Sequence, residues 1–200
     1  MKRLFLPLIA ALCLLGGKAH AQENVIENLD HAFQISAFAG ANSQASKDLG
    51  IEGVWKKRIH RDLYINCGLS LGLDYTNKAS NWGNRRNMLE VGIPVQLEWS
   101  RLSFSKSSFY GLVGFSPVCF ATLNAKTRDF SNATVEKGPN KAGLLIAPTI
   151  EAGGNIPLKN TIIRIGAYYK AKLNCTPDGY NVYRHVGGLN FIGVKAGVIF

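Results

Sequence analysis

The stretch 188–200, GLNFIGVKAGVIF, decides the fold because its side chains alternate between two faces of an extended strand. One face is apolar and holds Ile192, Val194, Ala196, Val198 and Phe200. The other face holds Lys195 between Gly193 and Gly197. An apolar row that finishes on an aromatic residue suits a strand facing lipid and the lipid–water interface. The stretch predicts the closing strand of a membrane β-barrel, whose insertion signal is formed by Val194, Ala196, Val198 and Phe200.

The same period of two recurs along the chain and predicts eight strands, an even number as single-chain barrels of this kind have. We place them at residues 32–40, 49–58, 62–75, 87–99, 108–122, 143–156, 161–173 and 188–200. Both faces of 109–123 are apolar, so this pattern does not assign its inward and outward residues. Pro117 predicts a bulge there.

Connection lengths predict how the strands are joined. Short turns around 60–61, 101–107 and 157–160 alternate with mostly longer connections near 41–48, 76–86, 123–142 and 174–187. Short turns face the periplasm in outer-membrane barrels and long loops face outward. The predicted fold is therefore all-β, an eight-stranded antiparallel up-and-down transmembrane barrel.

The amino-terminal residues have the order of a secretory signal peptide. Lys2 and Arg3 precede an apolar run, and an A-x-A site ends at Ala21. We therefore expect a cleaved signal peptide at 1–21, a short periplasmic segment at 22–31 and a barrel domain at 32–200. A lipoprotein anchored through Cys13 is disfavoured, because Leu12 is too large for the residue before a lipidated cysteine. The predicted location is the bacterial outer membrane.

The net charge and the cysteine content limit the classes of partner and cofactor that we expect. The whole chain carries +10, and removal of 1–21 leaves 20 basic and 13 acidic residues, or +7. This excess suits anionic lipid or surface polysaccharide. The basic residues are dispersed and accompany no nucleic-acid motif. Cys67, Cys119 and Cys175 form an odd set without metal-ligand spacing, so we predict no cofactor and no metal.

Charged residues on the inward faces predict a filled lumen. An eight-stranded interior is just wide enough for side chains, and buried charges must be paired. The predicted network consists of Glu52, Lys56, Arg58, Asp74, Glu90, Glu98, Glu151, Arg164, Lys170, Lys172 and Lys195. A wide pore is then disfavoured. The alternative is that Glu90, Glu151 and Arg164 catalyse a reaction or conduct protons, since ionisable groups within membranes are often functional.

A second group of residues predicts a contact at the outer rim. The loop after the third strand carries Lys78, Trp82, Arg85 and Arg86. These cations could pair with lipopolysaccharide phosphates; a merely solvated loop is the alternative.

The segment 88–99, MLEVGIPVQLEW, resembles the LEIP-containing strand of PorT-like and related outer-membrane β-barrel proteins, within the wider group of small OmpX- and OmpA-like barrels. The order of strands around it, LSLGLDY at 69–75 and YGLVGF at 110–115, is also similar; Val91 and Gly92 depart from the motif. The resemblance implies an outer-membrane barrel, often without known activity. Some members assist secretion, but no motif here carries that role.

The sequence thus favours a non-enzymatic barrel that acts through its outer loops, in surface interaction, envelope integrity or a secretion-accessory role. Its expected partners are outer-membrane lipids, lipopolysaccharide, the barrel-assembly machinery during insertion and an unidentified protein. A lipid-modifying enzyme is one alternative, although His31, His60 and His185 match no catalytic spacing. A soluble periplasmic lipocalin-like barrel needs an apolar interior. A conducting porin is the weakest alternative.

Overall fold

The computed structural model describes residues 29–42, 46–76, 85–129, 134–137, 142–175 and 190–200. The regular elements in these ranges are eleven β-strands. They are β1 (His31–Ala41), β2 (Ser46–His60), β3 (Leu63–Thr76), β4 (Arg85–Gly92), β5 (Val95–Ser100), β6 (Ser108–Asp129), β7 (Thr134–Lys137), β8 (Ala142–Leu158), β9 (Thr161–Ala171), β10 (Leu173–Asn174) and β11 (Asn190–Ile199). Within the described ranges, no helix is long and apolar enough to cross a membrane.

The strands form one antiparallel ring of eight. In this ring β4 and β5 together form one strand. The order around the ring is β1, β2, β3, β4/β5, β6, β8, β9 and β11, and β11 pairs with β1 to close it. β7 pairs with the far end of β6, and β10 continues the line of β9 beside β8. Phe33 and Phe200 exchange two backbone hydrogen bonds of 3.1 and 2.9 Å where the ring closes. The predicted eight-stranded up-and-down barrel is confirmed.

Two prolines explain why β4 and β5 are separate segments of one strand. The register places Ile93 opposite Pro117, and the Ile93 amide donates to the Pro117 carbonyl at 3.0 Å. Proline has no amide hydrogen to return the bond. On the other side of the strand, the Pro94 carbonyl accepts a hydrogen bond from the Gly68 amide of β3 at 3.2 Å. The pairing with β3 therefore continues across the break between β4 and β5.

The bulge predicted near Pro117 is wrong. Pairing between β6 and β8 keeps one register from Ser108 to Ala121. The register shift between β4 and β6 lies elsewhere, between Arg85 and Asn87, which pair with Lys126 and Leu123. Because Pro117 has no amide hydrogen, the pairing loses one backbone hydrogen bond there, and no extra residue is inserted into the strand.

The stagger of the ring sets the tilt of its strands. Starting at Lys57 and stepping once around the ring, the paired residues are Ile65, Leu97, Val113, Ile150, Tyr169, Ile192, Ala41 and Lys47. The circuit returns to β2 ten residues away, from 57 to 47. A stagger of about 33 Å around eight strands about 4.8 Å apart corresponds to a tilt of about 40°.

The two faces of the ring differ in kind. Outward rows are apolar and exposed, while inward rows are buried and carry most of the charge. The register also assigns the ambiguous segment 109–123. Its inward side chains include Tyr110, Leu112, Val118 and Phe120, and its outward ones include Phe109, Val113, Phe115 and Cys119.

Two turns hold a side chain in an unfavourable backbone region. Arg61 and Lys159 each begin a two-residue turn and have φ of 20° and 43°. Hairpin turns with positive φ at the first central residue favour glycine there, because other residues bring Cβ against the backbone.

We expect Lys159→Gly to raise the free energy of unfolding by about 0.5–1 kcal/mol, since the relief of strain exceeds the entropy cost of glycine. Urea unfolding of the folded barrel, followed by tryptophan fluorescence, measures this change. Lys106→Gly is the matched control, because Lys106 lies outside the strands and has no positive φ. Equal effects of the two substitutions would contradict the strain argument.

Candidate functional site

The lumen contains a cluster of buried polar groups around Glu98 on β5. Arg164 donates to both carboxylate oxygens, from Nη1 at 2.9 Å and from Nη2 at 2.6 Å. Lys56 forms an ion pair with Oε2, and Asn66 Nδ2 donates to the same oxygen at 2.7 Å. Charge-assisted bonds of this bidentate kind are the strong ones. Glu98 therefore links β5 to β2, β3 and β9 across the barrel.

Neutral groups fix the orientation of the arginine. Arg164 Nε donates to Asn155 Oδ1 at 2.9 Å, and Asn155 Nδ2 donates to Ser100 Oγ at 3.1 Å. The guanidinium carbon lies 3.8 Å from the centre of the Tyr110 ring, within cation–π range. Asn155 and the Tyr110 ring thus fix the guanidinium that holds Glu98.

A second cluster surrounds Lys195 on β11. Its ammonium lies 2.5 Å from Glu52 and 3.0 Å from Glu151. Tyr110 donates to the other Glu151 oxygen at 2.6 Å. Because Tyr110 also lies against Arg164, this cluster and the Glu98 cluster share a side chain.

A third cluster lies nearer the loop end and centres on Lys172. Its ammonium is 2.8 Å from Glu90, 3.1 Å from Asp48 and 3.4 Å from Asp74. Lys170 adds a bond of 2.7 Å to Asp48. One lysine therefore joins carboxylates on β2, β3 and β4.

The structure brings ten of the eleven sequence-predicted lumen residues into these three clusters. Arg58 lies apart from these clusters, partly exposed at the turn end, where it pairs with Asp30. Sequence reasoning missed Asp48, which is fully buried, because residues 41–48 were assigned to a loop. Asp48 has the same strand parity as Glu52, but only the pairing that extends β2 to Ser46 shows that the alternation reaches it. The described clusters hold six acids and five bases.

A small cavity separates the Lys172 cluster from the Lys195 cluster. Its volume is about 30 Å³, and its lining includes Glu52, Glu90, Gln96, Lys170 and Lys195. Gln96 Oε1 is buried there without a hydrogen-bond partner in the protein. The space suits one or two water molecules and no larger substrate. The described lumen is a filled interior.

The turn end of the lumen is closed by apolar side chains. Leu102, from the segment between β5 and β6, packs with Ala32, Tyr64, Ile162 and Ile199, and Leu29 lies against this group. Two hydrogen bonds hold the Leu29 backbone in place, from Leu29 N to Leu102 O at 3.1 Å and from Tyr64 Oη to Leu29 O at 2.7 Å. The 101–107 segment, read from the sequence only as a turn, thus contributes to the seal.

The remaining sequence-predicted residues lie elsewhere. Val194, Ala196, Val198 and Phe200 occupy the outward row of β11 and its end. Lys78, Trp82, His185 and the segment 1–28 fall outside the described residues, and of Arg85 and Arg86 only the backbone at the start of β4 is described. His31 and His60 are exposed at the turn end. Cys67, Cys119 and Cys175 are free and exposed, and the described residues form no metal-binding group.

Comparisons with known proteins give structural neighbours only. No family model and no curated protein matches the chain, so the PorT-like resemblance stays a prediction. Neisserial surface protein A matches with a TM-score of 0.52 at 15% identity, over 86% of this chain and 96% of that one. This likeness shows a shared fold.

Two further structures match with lower scores. The amino-terminal β-barrel domain of Pseudomonas aeruginosa OprF has a TM-score of 0.44 at 10% identity, over 88% of this chain and 98% of that one. Ail of Yersinia pestis, in complex with the heparin analogue sucrose octasulfate, has a TM-score of 0.43 at 10% identity, over 86% and 97%.

We expect Glu98→Gln to destabilise the barrel by about 3–5 kcal/mol, because Arg164 and Lys56 would stay buried without their counter-charge. Urea unfolding measures the loss. The control is Asp62→Asn, which breaks the exposed pair with Arg101 and should cost less than about 1 kcal/mol.

A second variant separates charge from packing. Adding Lys56→Met to Glu98→Gln removes one unpaired cation and should restore part of the stability. Equal losses in Glu98→Gln and Asp62→Asn would contradict a lumen held together by ion pairs.

Proposed function

We propose that the chain is an integral outer-membrane β-barrel with a filled lumen, which acts without catalysis through the surface at its loop end. One observation carries this proposal: the closed ring is apolar on its outer face and charged on its inner face. A soluble ligand-binding barrel needs the reverse arrangement, with its apolar residues inside.

The exposed apolar surface supports a lipid environment. Phe109, Ile192 and Trp99 expose 81%, 69% and 60% of their surface, and apolar residues occupy most of the outward positions on all eight strands. Soluble monomers rarely expose apolar patches beyond a few hundred Å². In a bilayer the same surface faces hydrocarbon chains and needs no protein partner.

The height of this apolar surface fits a bilayer. Among the strand residues whose side chains the structure describes, the charged ones at outward positions are Lys47 and Lys57, which lie ten residues apart on β2. About 33 Å of strand tilted by about 40° spans about 25 Å, the height of the apolar band in outer-membrane barrels. The aromatic side chains Phe33, Trp55, Trp99 and Phe109 lie outward at the turn end, as in an interfacial belt.

The filled lumen favours a supporting role for the barrel over transport. Three ion-pair clusters and an apolar seal occupy the described interior. Strands cross-linked in this way form a rigid ring. This ring supports the longer connections, which lie at the end opposite the short turns. We infer that recognition of lipopolysaccharide or a protein partner belongs to those connections. The export signal at 1–21 and the aid of the barrel-assembly machinery remain predictions that accompany this proposal.

Gel migration tests the proposal directly. Closed outer-membrane barrels resist SDS until heated, so we expect the protein in the outer-membrane fraction and a shift of its band on boiling. In planar bilayers the purified protein should conduct far less than an open porin. A protein that is soluble without detergent and shows no shift would overturn the membrane assignment.

The loop role has its own test. We expect the double variant Arg85→Ala/Arg86→Ala to bind immobilised lipopolysaccharide at least about five-fold more weakly, because each cation near an anionic surface contributes about 1 kcal/mol. The control is Lys106→Ala/Lys159→Ala, which removes the same charge from the turn end. Unchanged binding by the Arg85/Arg86 variant would reject this contact.

A further inference from the structure

The outer face of β1 and β2 carries an unusual group at the turn end. Lys57 is exposed on the outward row of β2, within an otherwise apolar surface. Its cross-strand neighbours are His31 on β1 and Ile65 on β3. Trp55 lies two residues further along β2, toward the middle of the apolar band, and pairs with Phe33.

Aromatic contacts give this group a defined shape. His31 stacks on Trp55 with ring centres 5.4 Å apart and an angle of 17° between the planes. Phe33 and Trp55 are each about half exposed. Gly53 continues the row beyond Trp55, and the nearest atom to a Cβ placed there would be the Phe33 ring at 3.5 Å. The Phe33 ring thus packs over Gly53, and the exposed rings of Phe33 and Trp55 form an apolar surface beside Lys57.

The electrostatic surroundings of Lys57 are positive. Two side-chain carboxylates of the described residues at this rim are already paired, Asp30 with Arg58 and Asp62 with Arg101. Lys106 and Lys159 are exposed at the same end of the barrel. Lys57 itself forms no ion pair with any residue that the structure describes. A cation at the edge of an apolar band, among further cations, attracts phosphate.

We propose that this group is a binding site for an anionic phospholipid in the leaflet at the turn end. The Lys57 ammonium binds the phosphodiester, the Trp55 and Phe33 rings contact the glycerol backbone, and an acyl chain lies along the apolar outward surface beyond those rings. A zwitterionic phospholipid brings its own ammonium group, which the basic rim repels, so the site selects a headgroup such as glycerol. This inference rests on the proposed function for the presence of a bilayer and its position along the barrel.

Native mass spectrometry of the full-length folded protein in detergent micelles tests the site, with phosphatidylglycerol and phosphatidylcholine as probes. We expect the first phosphatidylglycerol to bind more tightly than phosphatidylcholine. Lys57→Gln should weaken it about five-fold and remove the preference, and Lys57→Arg should retain it. The matched control is Lys106→Gln, which removes one exposed charge from the same rim and should weaken binding much less than Lys57→Gln does.

Two outcomes overturn the site. Either Lys57→Gln binds phosphatidylglycerol as the native protein does, or Lys106→Gln weakens binding equally, which would indicate only the general charge of the rim. The heat-dependent gel shift of each variant separates this result from the proposed function. A retained shift without lipid preference refutes the site alone, whereas loss of the shift in the native protein refutes the membrane barrel as well.

Discussion

Closure of the sheet is the constraint on which the rest of the structure depends. In hydrocarbon, every backbone amide and carbonyl must find its partner within the protein, so a sheet can span lipid only as a closed ring. The β1–β11 ladder and the Phe33–Phe200 bonds meet that requirement here. Closure then places alternate side chains outside, on the face that we propose contacts lipid, and inside, in a lumen too narrow to stay empty.

The charged lumen follows from this division. Because the outward rows hold most of the apolar residues, the interior is built largely from polar groups that must satisfy one another. Glu98 shows how this works, since Arg164, Lys56 and Asn66 approach it from three other strands. Ion pairs and hydrogen bonds here do much of the work of a hydrophobic core. Two clusters of buried apolar side chains accompany them, the turn-end seal and a group of Met88, Val118, Phe120, Leu145 and Ala147.

The sequence predicted what depends on local alternation and missed what depends on pairing. All eight strands were found, because each carries period-two alternation or an apolar run. Asp48 was missed because β2 extends to Ser46 through its pairing with β1 and β3, which local pattern does not contain. The faces of 109–123 could not be assigned because both are apolar, and the inward fold of Leu102 depends on contacts with strands distant in the chain. The partners of each lumen charge likewise depend on the stagger of the ring.

Labelling of the native thiols tests the inside-out arrangement most directly. Cys67 lies on the outward row of β3 between Ile65 and Leu69, whereas Cys175 lies beyond β10 toward the loop end. A water-soluble maleimide, applied to membranes that contain the protein and followed by site-resolved mass spectrometry, should label Cys175 and spare Cys67 until the barrel is unfolded. Rapid labelling of Cys67 in the folded protein would contradict the account, because the outward face would then meet water.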